Sequence, residues 1–446
     1  MSDAKLAALV MAGGLGTRMR SETPKHLHPL LGRRMLDWAL DAALALEPAR
    51  TIVVVSPSAQ QAVESTLPPG VDIALQEEPR GTGDAVASAR EALAGFEGDI
   101  VVVSGDTPLI TSNELERLVA THRREGAAAT VLSIETSRPL PYGRLVRDAD
   151  GALREIVEAA DATPQQLEIE ELNASIYAFA AADLWPALAG LDPSNAQGEL
   201  YLTDTIRALA QAGRPLAVQP SSDPALAEGV NTRVELARAA ALLRDRVNER
   251  HMLAGVTIVD PQTTWIEPEV ELEADATVNP FTLLRGRTRV ARGAEIGPHA
   301  VLVDAEVGPG AVVGPFCYLR PGTVLEPGAK AGTFVEIKNS HVGEGAKVPH
   351  LSYLGDADIG DGANIAAGNI TANFPHQPGQ PKGRTTIGRN VRTGIHNGFI
   401  APVTIGDDAW IAAGSVITKD VPAEALAVAR SRQVNKEGFA TRDGDD

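Results

Sequence analysis

The chain has 446 residues, and its 58 acidic side chains outnumber 40 basic ones to give a formal charge of −18 at pH 7. Such a surface repels phosphate backbones and acidic headgroups, so no nucleic-acid or acidic-lipid partner is expected, and an anionic ligand needs a local cluster of Arg and Lys. The single cysteine, Cys317, excludes an intramolecular disulfide and a cysteine zinc cluster; with no basic-then-apolar leader and no run of ~18 apolar residues, a cytoplasmic protein is expected.

The length predicts two or three domains, and a composition of 44% apolar but only 4% aromatic residues predicts cores of Ala, Val, Leu and Ile. Cys317 is expected as a small core residue. Apolar runs at 6–11, 51–55 and 100–103 each end in Gly or polar turns, with helical patterns at 35–46 and 84–93 between them. Strands alternating with helices predict a βαβ domain over residues 1–231, with a mixed, mostly parallel sheet whose ligands gather beyond the carboxyl ends of its strands.

Directly after the first run stands Gly13-Gly14-Leu15-Gly16-Thr17-Arg18-Met19. Glycines there let the backbone approach a pyrophosphate and aim N–H groups at it, while Arg18 and Lys25 add positive charge. The spacing is neither that of a Walker A loop nor that of a dinucleotide fingerprint, and glycines alone also suit a plain tight turn. Ser104-Gly105-Asp106 closes the third run, where a carboxylate can hold a metal against phosphate oxygens or merely cap a turn.

The front half resembles the sugar-1-phosphate nucleotidyltransferases. The match rests on MAGGLGTRM with Pro24-Lys25, QEEPRGTGDA, SGDTPL, YGR, IVEAADAT, ELNASIY and GVNTR, in that order along the domain. It is closest to the uridyltransferase half of the bacterial bifunctional N-acetylglucosamine-1-phosphate uridyltransferase/glucosamine-1-phosphate acetyltransferases. The resemblance implies that Met11, Ala12, Gly13, Gly14, Gln76, Gly81 and Thr82 face the uridine nucleotide, and that Arg18 and Lys25 neutralise its phosphates. It also implies that Gly143, Glu158 and Asn173 hold the N-acetylated sugar, that Ser104 and Gly105 border it, and that Asp106 and Asn231 bind Mg²⁺. Ser104 stands where the family often has Tyr, and Ser175 where it often has Gly. The implied chemistry is displacement at the α-phosphorus of UTP by N-acetylglucosamine-1-phosphate, which needs positioning and charge neutralisation rather than a covalent nucleophile.

Residues 232–253 carry apolar positions at three and four, predicting one helix that either links the halves or closes the first domain. From about 256 to 421 an aliphatic residue, often followed by Gly, Pro or a small residue, recurs every six positions, as at Val307-Gly308, Val313-Gly314, Leu319-Arg320 and Leu325-Glu326. A slip of one residue precedes Ile359-Gly360. Each hexad reads as one short strand plus a turn of a stacked β-helix over 254–446. A Pro/Gly-rich stretch at 371–386 loses the phase, and the tail 443–446 is expected to be solvated.

Such a β-helix can be scaffold alone. Against that stand His350-Leu351-Ser352-Tyr353-Leu354-Gly355-Asp356, Asn364 to Gly368 and Thr371-Ala372-Asn373-Phe374, which interrupt an apolar pattern with polar and aromatic groups. These segments, with LRPGT and FVEIK, resemble the acetyltransferase half of the same family, whose β-helices are left-handed and form homotrimers. The resemblance implies that His350 takes a proton from the amine of glucosamine-1-phosphate as it attacks acetyl-CoA, a task for which an imidazole is suited, with Glu336 orienting it. Arg320 and Lys338 match sugar-phosphate contacts, and Tyr353, Asn364, Asn373 and Phe374 the remaining acceptor and acetyl-CoA pocket. Ala367 and Ala413 would line the thioester arm, with Arg430 and Lys436 near the coenzyme's phosphates. Gly394-Ile395-His396-Asn397 departs from the family's Gly-Ser-Asp-Thr, so a polar contact at 395 is missing; Phe374 replaces a usual Tyr, and the loop through Gly383 is longer.

Three readings follow. The first is a two-site enzyme that acetylates glucosamine-1-phosphate and couples the product to UTP. The second keeps the nucleotidyltransferase and makes the β-helix a trimerising scaffold. The third is a non-catalytic sugar-nucleotide sensor.

Overall fold

A computed structural model of the chain describes residues 5–14, 16–138, 140–375 and 379–441. Leu15 of the glycine loop, residues 376–378 of the interrupted stretch and the tail at 443–446 lie outside the described residues. The chain divides into two compact units, Met1–Leu243 and Arg244–Asp446, and the division falls within the helix Arg233–Leu253.

In the first unit the apolar runs form strands because both faces of their sheet are covered, so continuous Val, Ile and Leu are buried. In chain order these are β1 (Leu6–Ala12), β2 (Arg50–Val55), β3 (Val71–Leu75), β4 (Asp99–Ser104), β5 (Ala129–Glu135), β6 (Arg144–Arg147), β7 (Leu153–Val157), β8 (Glu171–Ala180) and β9 (Leu216–Ser221). They make one nine-stranded sheet of order β9-β5-β8-β4-β1-β2-β3, with β6 and β7 branching from β8. Strands β3, β2, β1 and β4 run parallel, and β8 lies antiparallel between β4 and β5. Alternation along β1 sends Leu9 and Met11 into one core layer and Ala8, Val10 and Ala12 into the other. The carboxyl ends of β1 and β4 therefore open together on one crevice.

Helix boundaries differ from the sequence expectation. The helix expected at 35–46 stops at Leu44. The one expected at 84–93 is Thr82–Ser88, shifted forward because Gly81 takes a φ of 115 at its N-cap and the chain beyond Ser88 continues only as turns.

In the second unit each coil contributes three short strands, and equivalent residues stack 17 or 18 positions apart, as in Leu284↔Leu302 and Leu302↔Leu319. The hexad aliphatics point inward: Val313, Leu319, Ile337, Val348, Leu354 and Ile365 are all fully buried. The one-residue slip falls at the corner of Asp356, where, as at Asn339, the next buried hexad aliphatic follows after five residues and the corner residue takes the left-handed region. Cys317 is buried in this core, as expected, and burial pushes its thiol up to about 12. Stacking continues past 421 to Leu426–Ala427.

The interrupted stretch is narrower than 371–386. Thr371 stays in the inner column, its hydroxyl accepting from Gly355 N at 2.7 Å and donating to Gly355 O at 3.0 Å. The excursion leaves after Ala372 and is pinched shut where Gly383 N donates to Asn373 O at 3.0 Å.

His251 gives this unit an acid sensitivity. Its ring is buried, its Nε2 has no partner, and burial followed by the Arg250 charge lowers its imidazole to about 4. A folded pKa below the unfolded value means that the unfolded chain binds the proton first, so stability present above pH ~6.5 drains away as pH falls toward 4. Denaturation at pH 7 and pH 4.5 should show wild type losing on the order of 2–3 kcal/mol more than His251→Leu; equal losses would contradict this.

Candidate active sites

The first site is assembled at the carboxyl ends of β1 and β4. A cavity of about 500 Å³ there is lined by the glycine loop, Met11, Arg18, Lys25, Gln76, Gly81, Thr82, Ser104, Asp106 and Asn231. Its centre is a polar knot of groups far apart in sequence. The Lys25 ammonium is buried and donates to the Asp106 carboxylate and, at 3.1 Å, to Asn231 Oδ1. Arg18 reaches the same Asn231 oxygen at 3.0 Å, and the Ser104 hydroxyl donates to Asp106 at 2.7 Å. Burial would raise the Asp106 carboxyl, but the Lys25 and His26 charges and the two hydrogen bonds outweigh it and hold the group at about 2. Asp106 is thus an anion at any physiological pH.

Local structure explains the convergence. A Cβ on Gly13 would stand 2.3 Å from Gln76 Oε1, so only glycine lets the loop close on that side chain. Gln76 in turn donates to Gly81 O at 3.1 Å and to the buried Asp84 at 2.9 Å, tying β3 to the following helix. Asn231 precedes a capping box: Glu235 Oε2 accepts from Asn231 N and Thr232 N, both at 2.8 Å, while Thr232 Oγ1 accepts from Glu235 N. Thr-x-x-Glu is legible in sequence and would have identified what fixes Asn231.

A second group lies beside the first. The side chains of Asn173 and Glu158 meet over Gly143, where an added Cβ would come within 3.6 Å of Asn173 Cβ and 3.5 Å of Glu158 Oε2. The bulge in β8 between Asn173 and Tyr177 aims Asn173, whose Nδ2 donates to Tyr177 OH at 2.7 Å. Ser175 sits in that bulge at a φ of 59, which explains why glycine suits the position. Glu158 accepts from Thr203 at 3.0 Å, and burial, with Asp161 and Asp204 adding to it, raises its carboxyl. Leu202 N donates to Thr82 Oγ1 at 3.0 Å, so adjacent residues join the two groups. Gln197, Glu199 and His26 also line the first cavity and were not identified from sequence. Ala12 and Gly105 are buried at the strand ends beneath it.

On the β-helix, His350 ends the strand Lys347–His350 opposite Thr333, with its side chain exposed. Backbone bonds from Gly368 N to His350 O, His396 N to Ala367 O and Gly414 N to Ile395 O stack His350, Ala367, Ile395 and Ala413 in one column on successive coils. Arg430 Cδ passes 3.7 Å from where a Gly414 Cβ would stand.

Arg320, Lys338 and Lys382 form a cationic group on the neighbouring face. The Lys382 charge, with a smaller contribution from Arg320, lowers the Lys338 ammonium, the mark of cations gathered without enough counter-charge. Lys382 lies over the Phe374 ring at 5.6 Å; nothing in the sequence pattern singled it out. Tyr353 OH and Asn373 Nδ2 converge on Gly355, and Asn373 is held by Asp356.

Three expectations fare differently. Glu336 binds Arg320 at 2.8 Å, and no hydrogen bond joins it to His350 among the described residues. Asn364 stacks between Lys347 and Arg392 on the preceding face. Lys436 lies in an exposed C-terminal segment without strand structure.

A sheet with an anion-ready crevice, followed by a stacked β-helix that bears the His350 column and clustered cations, suits a transferase with a nucleotide-handling domain. Residues 8–212 match the family model of the MobA-like NTP transferase domain. The chain is 47% identical to the bifunctional protein GlmU of Mycolicibacterium vanbaalenii, across 99% of this chain and 94% of that one. The GlmU of Streptomyces avermitilis is also 47% identical, covering 98% and 94%, as is that of Mycobacterium tuberculosis, covering 98% and 92%. The chain belongs to the GlmU family. It is a bifunctional enzyme that combines a uridylyltransferase with an acetyltransferase.

Proposed function

We propose that the crevice at Lys25 carries out uridylyl transfer and the His350 column acetyl transfer, the two reactions running in series to UDP-N-acetylglucosamine. The observation that carries this reading is the meeting of Lys25, Asp106 and Asn231, three residues with no shared local motif, on one point beside a glycine loop. N-acetylglucosamine-1-phosphate would rest on Gly143, Glu158 and Asn173, and its phosphate would attack the α-phosphorus of UTP and displace pyrophosphate. Lys25 and Arg18 offset the charge gathered there, and the backbone N–H groups of the loop orient the nucleotide.

The donor set suits Mg²⁺. Asp106 and Asn231 offer a carboxylate and an amide oxygen, both touching the Lys25 ammonium, so both face a position that already accommodates a cation. Among the described residues no group of three or more His, Cys, Asp or Glu could cage a metal, which fits an ion completed by substrate phosphates. Bound there, the ion would supply charge neutralisation at the phosphates.

In the β-helix, Arg320, Lys338 and Lys382 would take the phosphate of glucosamine-1-phosphate. His350 would accept the amine proton as the nitrogen attacks the thioester carbon of acetyl-CoA, forming the amide as the C–S bond breaks and the coenzyme leaves as its thiol; the coenzyme's arm would follow Ala367, Ile395 and Ala413. The apolar Ile395 offers that arm contact without a hydrogen bond. A homotrimer is supported by the stacked, half-exposed rings of Phe281, His299, Phe316 and Phe334 along one corner, an apolar edge of the kind that subunits cover. No helix among the described residues is long and apolar enough to cross a membrane, and the acidic charge and lone thiol favour the cytoplasm. The domain reading of 1–231, 232–253 and 254–446 follows this division of labour.

One assay mixture holding glucosamine-1-phosphate, acetyl-CoA, UTP and Mg²⁺ tests the proposal. UDP-N-acetylglucosamine should form, omission of acetyl-CoA should stop both products, and omission of UTP should leave N-acetylglucosamine-1-phosphate. Nucleotide sugar formed without acetyl-CoA would contradict the order.

A further inference from the structure

His26 stands next to Lys25 in sequence but does something different in space. Its ring is 5% exposed, yet it lines the nucleotide cavity. A Cβ built on Gly14 would meet its Cε1 at 4.0 Å, and one on Gly105 would meet its Cδ2 at 3.3 Å. Nε2 lies between those two carbons, so the polar edge of the imidazole spans the gap between the glycine loop after β1 and the turn after β4. That gap is where the two parallel strands open together.

The charged groups that act on this ring, Lys25 and Asp106, are bonded to each other, and several other polar side chains of the cavity are also partnered. Lys25, Asp106, Asn231 and Ser104 bond one another, and Gln76 bonds Gly81 and Asp84. Neither His26 nitrogen makes a hydrogen bond with any described residue, and neither is sealed away as His28 Nε2 is. The contrast with His122 is instructive: equally buried, it is satisfied by Thr130 at 2.9 Å and faces Asp99, as a structural histidine should be. A buried imidazole without a protein partner is costly unless something entering the cavity meets it. A scaffold ring at this position could equally be apolar.

Resting on the uridylyl-transfer reading of this site, we propose that His26 is a nucleotide-binding residue whose ring nitrogen donates a hydrogen bond to the phosphate chain of UTP. A side chain at Gly105 would press on the ring as well as on Met11 O, which lies 3.0 Å from its Cβ position. His26 adds a directed donor to a site whose cations, Lys25 and Arg18, are already engaged by Asp106 and Asn231.

The test is steady-state uridylyl transfer by the full chain, with UTP and N-acetylglucosamine-1-phosphate varied separately. His26→Met and His26→Leu keep bulk and lose the donor; His26→Gln keeps a donor. The two apolar variants should raise KM for UTP about tenfold, as expected for one lost hydrogen bond to a charged group, with kcat and the sugar-phosphate KM within about twofold. His26→Gln should recover most of that loss. An unchanged UTP KM in both apolar variants, a rise confined to the sugar phosphate, or a glutamine variant no better than methionine would each overturn the assignment. A parallel Lys25→Gln arm keeps the failures apart: if it too is fully active, the site reading itself falls, whereas if it alone is crippled, only the role of His26 falls.

Discussion

Replacing Lys25 by alanine is expected to lower kcat/KM for uridylyl transfer about a thousandfold, roughly 4 kcal/mol of transition-state stabilisation, while acetyl transfer stays within twofold. The size follows from what surrounds the ammonium. It is buried, it bridges Asp106 and Asn231, and it lies in the cavity where the phosphates of UTP would gather. In such a water-poor site a fixed positive charge acts on the displaced pyrophosphate with little screening. Alanine also leaves Asp106 without its counter-charge, and a buried carboxylate stripped of its partner is destabilising in itself. Lys25→Gln separates the two effects, since an amide can still bond both oxygens while supplying no charge. It should keep more of the wild-type thermal stability than alanine does and lose nearly as much activity. A loss below tenfold in both variants, measured by pyrophosphate release, would remove Lys25 from the chemistry.

Replacing His350 by alanine should act on the other reaction alone. Acetyl transfer is expected to fall between about a hundredfold and ten thousandfold, the usual range for a lost general base, with uridylyl transfer of supplied N-acetylglucosamine-1-phosphate unchanged. The side chain is exposed and, among the described residues, makes no hydrogen bond of its own, so the substitution should move stability by less than about 0.5 kcal/mol. Loss of activity therefore could not be ascribed to unfolding. Thiol release from acetyl-CoA gives the readout. If that rate stays within tenfold of wild type, the β-helix is a scaffold in this respect and the second of the three sequence readings regains ground.

The hexads made most of the β-helix legible, because a period of six can be satisfied by few structures and each aliphatic position proved to be an inward one. The parallel sheet was legible for a similar reason: runs such as those of β1 and β4 are apolar at every position, which only a sheet covered on both faces rewards. What escaped sequence reading was contact over long separations. His26 meets Gly105, and Glu158 meets Thr203, through chain reversals that no local pattern announces. Lys382 stands in a stretch without hexad phase, so its arrival beside Lys338 depends on the pinch between Asn373 and Gly383. The resemblance linked Glu336 to His350, but the register sets Glu336 opposite Tyr353 and Tyr318, on the face that carries Arg320. Helix ends shifted where a single glycine, Gly81, overrode the apolar period.

Ile395 deserves separate mention because it sits in the column of His350, Ala367 and Ala413 rather than apart from it. On the proposed reading the departure from the family pattern falls on the face that acetyl-CoA would follow, where a methyl-rich surface would supply packing in place of a polar contact.

The central claim is that one chain holds two independent catalytic centres, and complementation tests it most directly. Lys25→Gln and His350→Ala proteins would each be incubated with glucosamine-1-phosphate, acetyl-CoA, UTP and Mg²⁺, alone and mixed, and UDP-N-acetylglucosamine would be measured. Each variant alone should form almost none, the first stopping at N-acetylglucosamine-1-phosphate and the second at the starting sugar, and the mixture should restore synthesis through the released intermediate. Full synthesis by either variant alone, or no synthesis by the mixture, would contradict the assignment of the two reactions to these two sites.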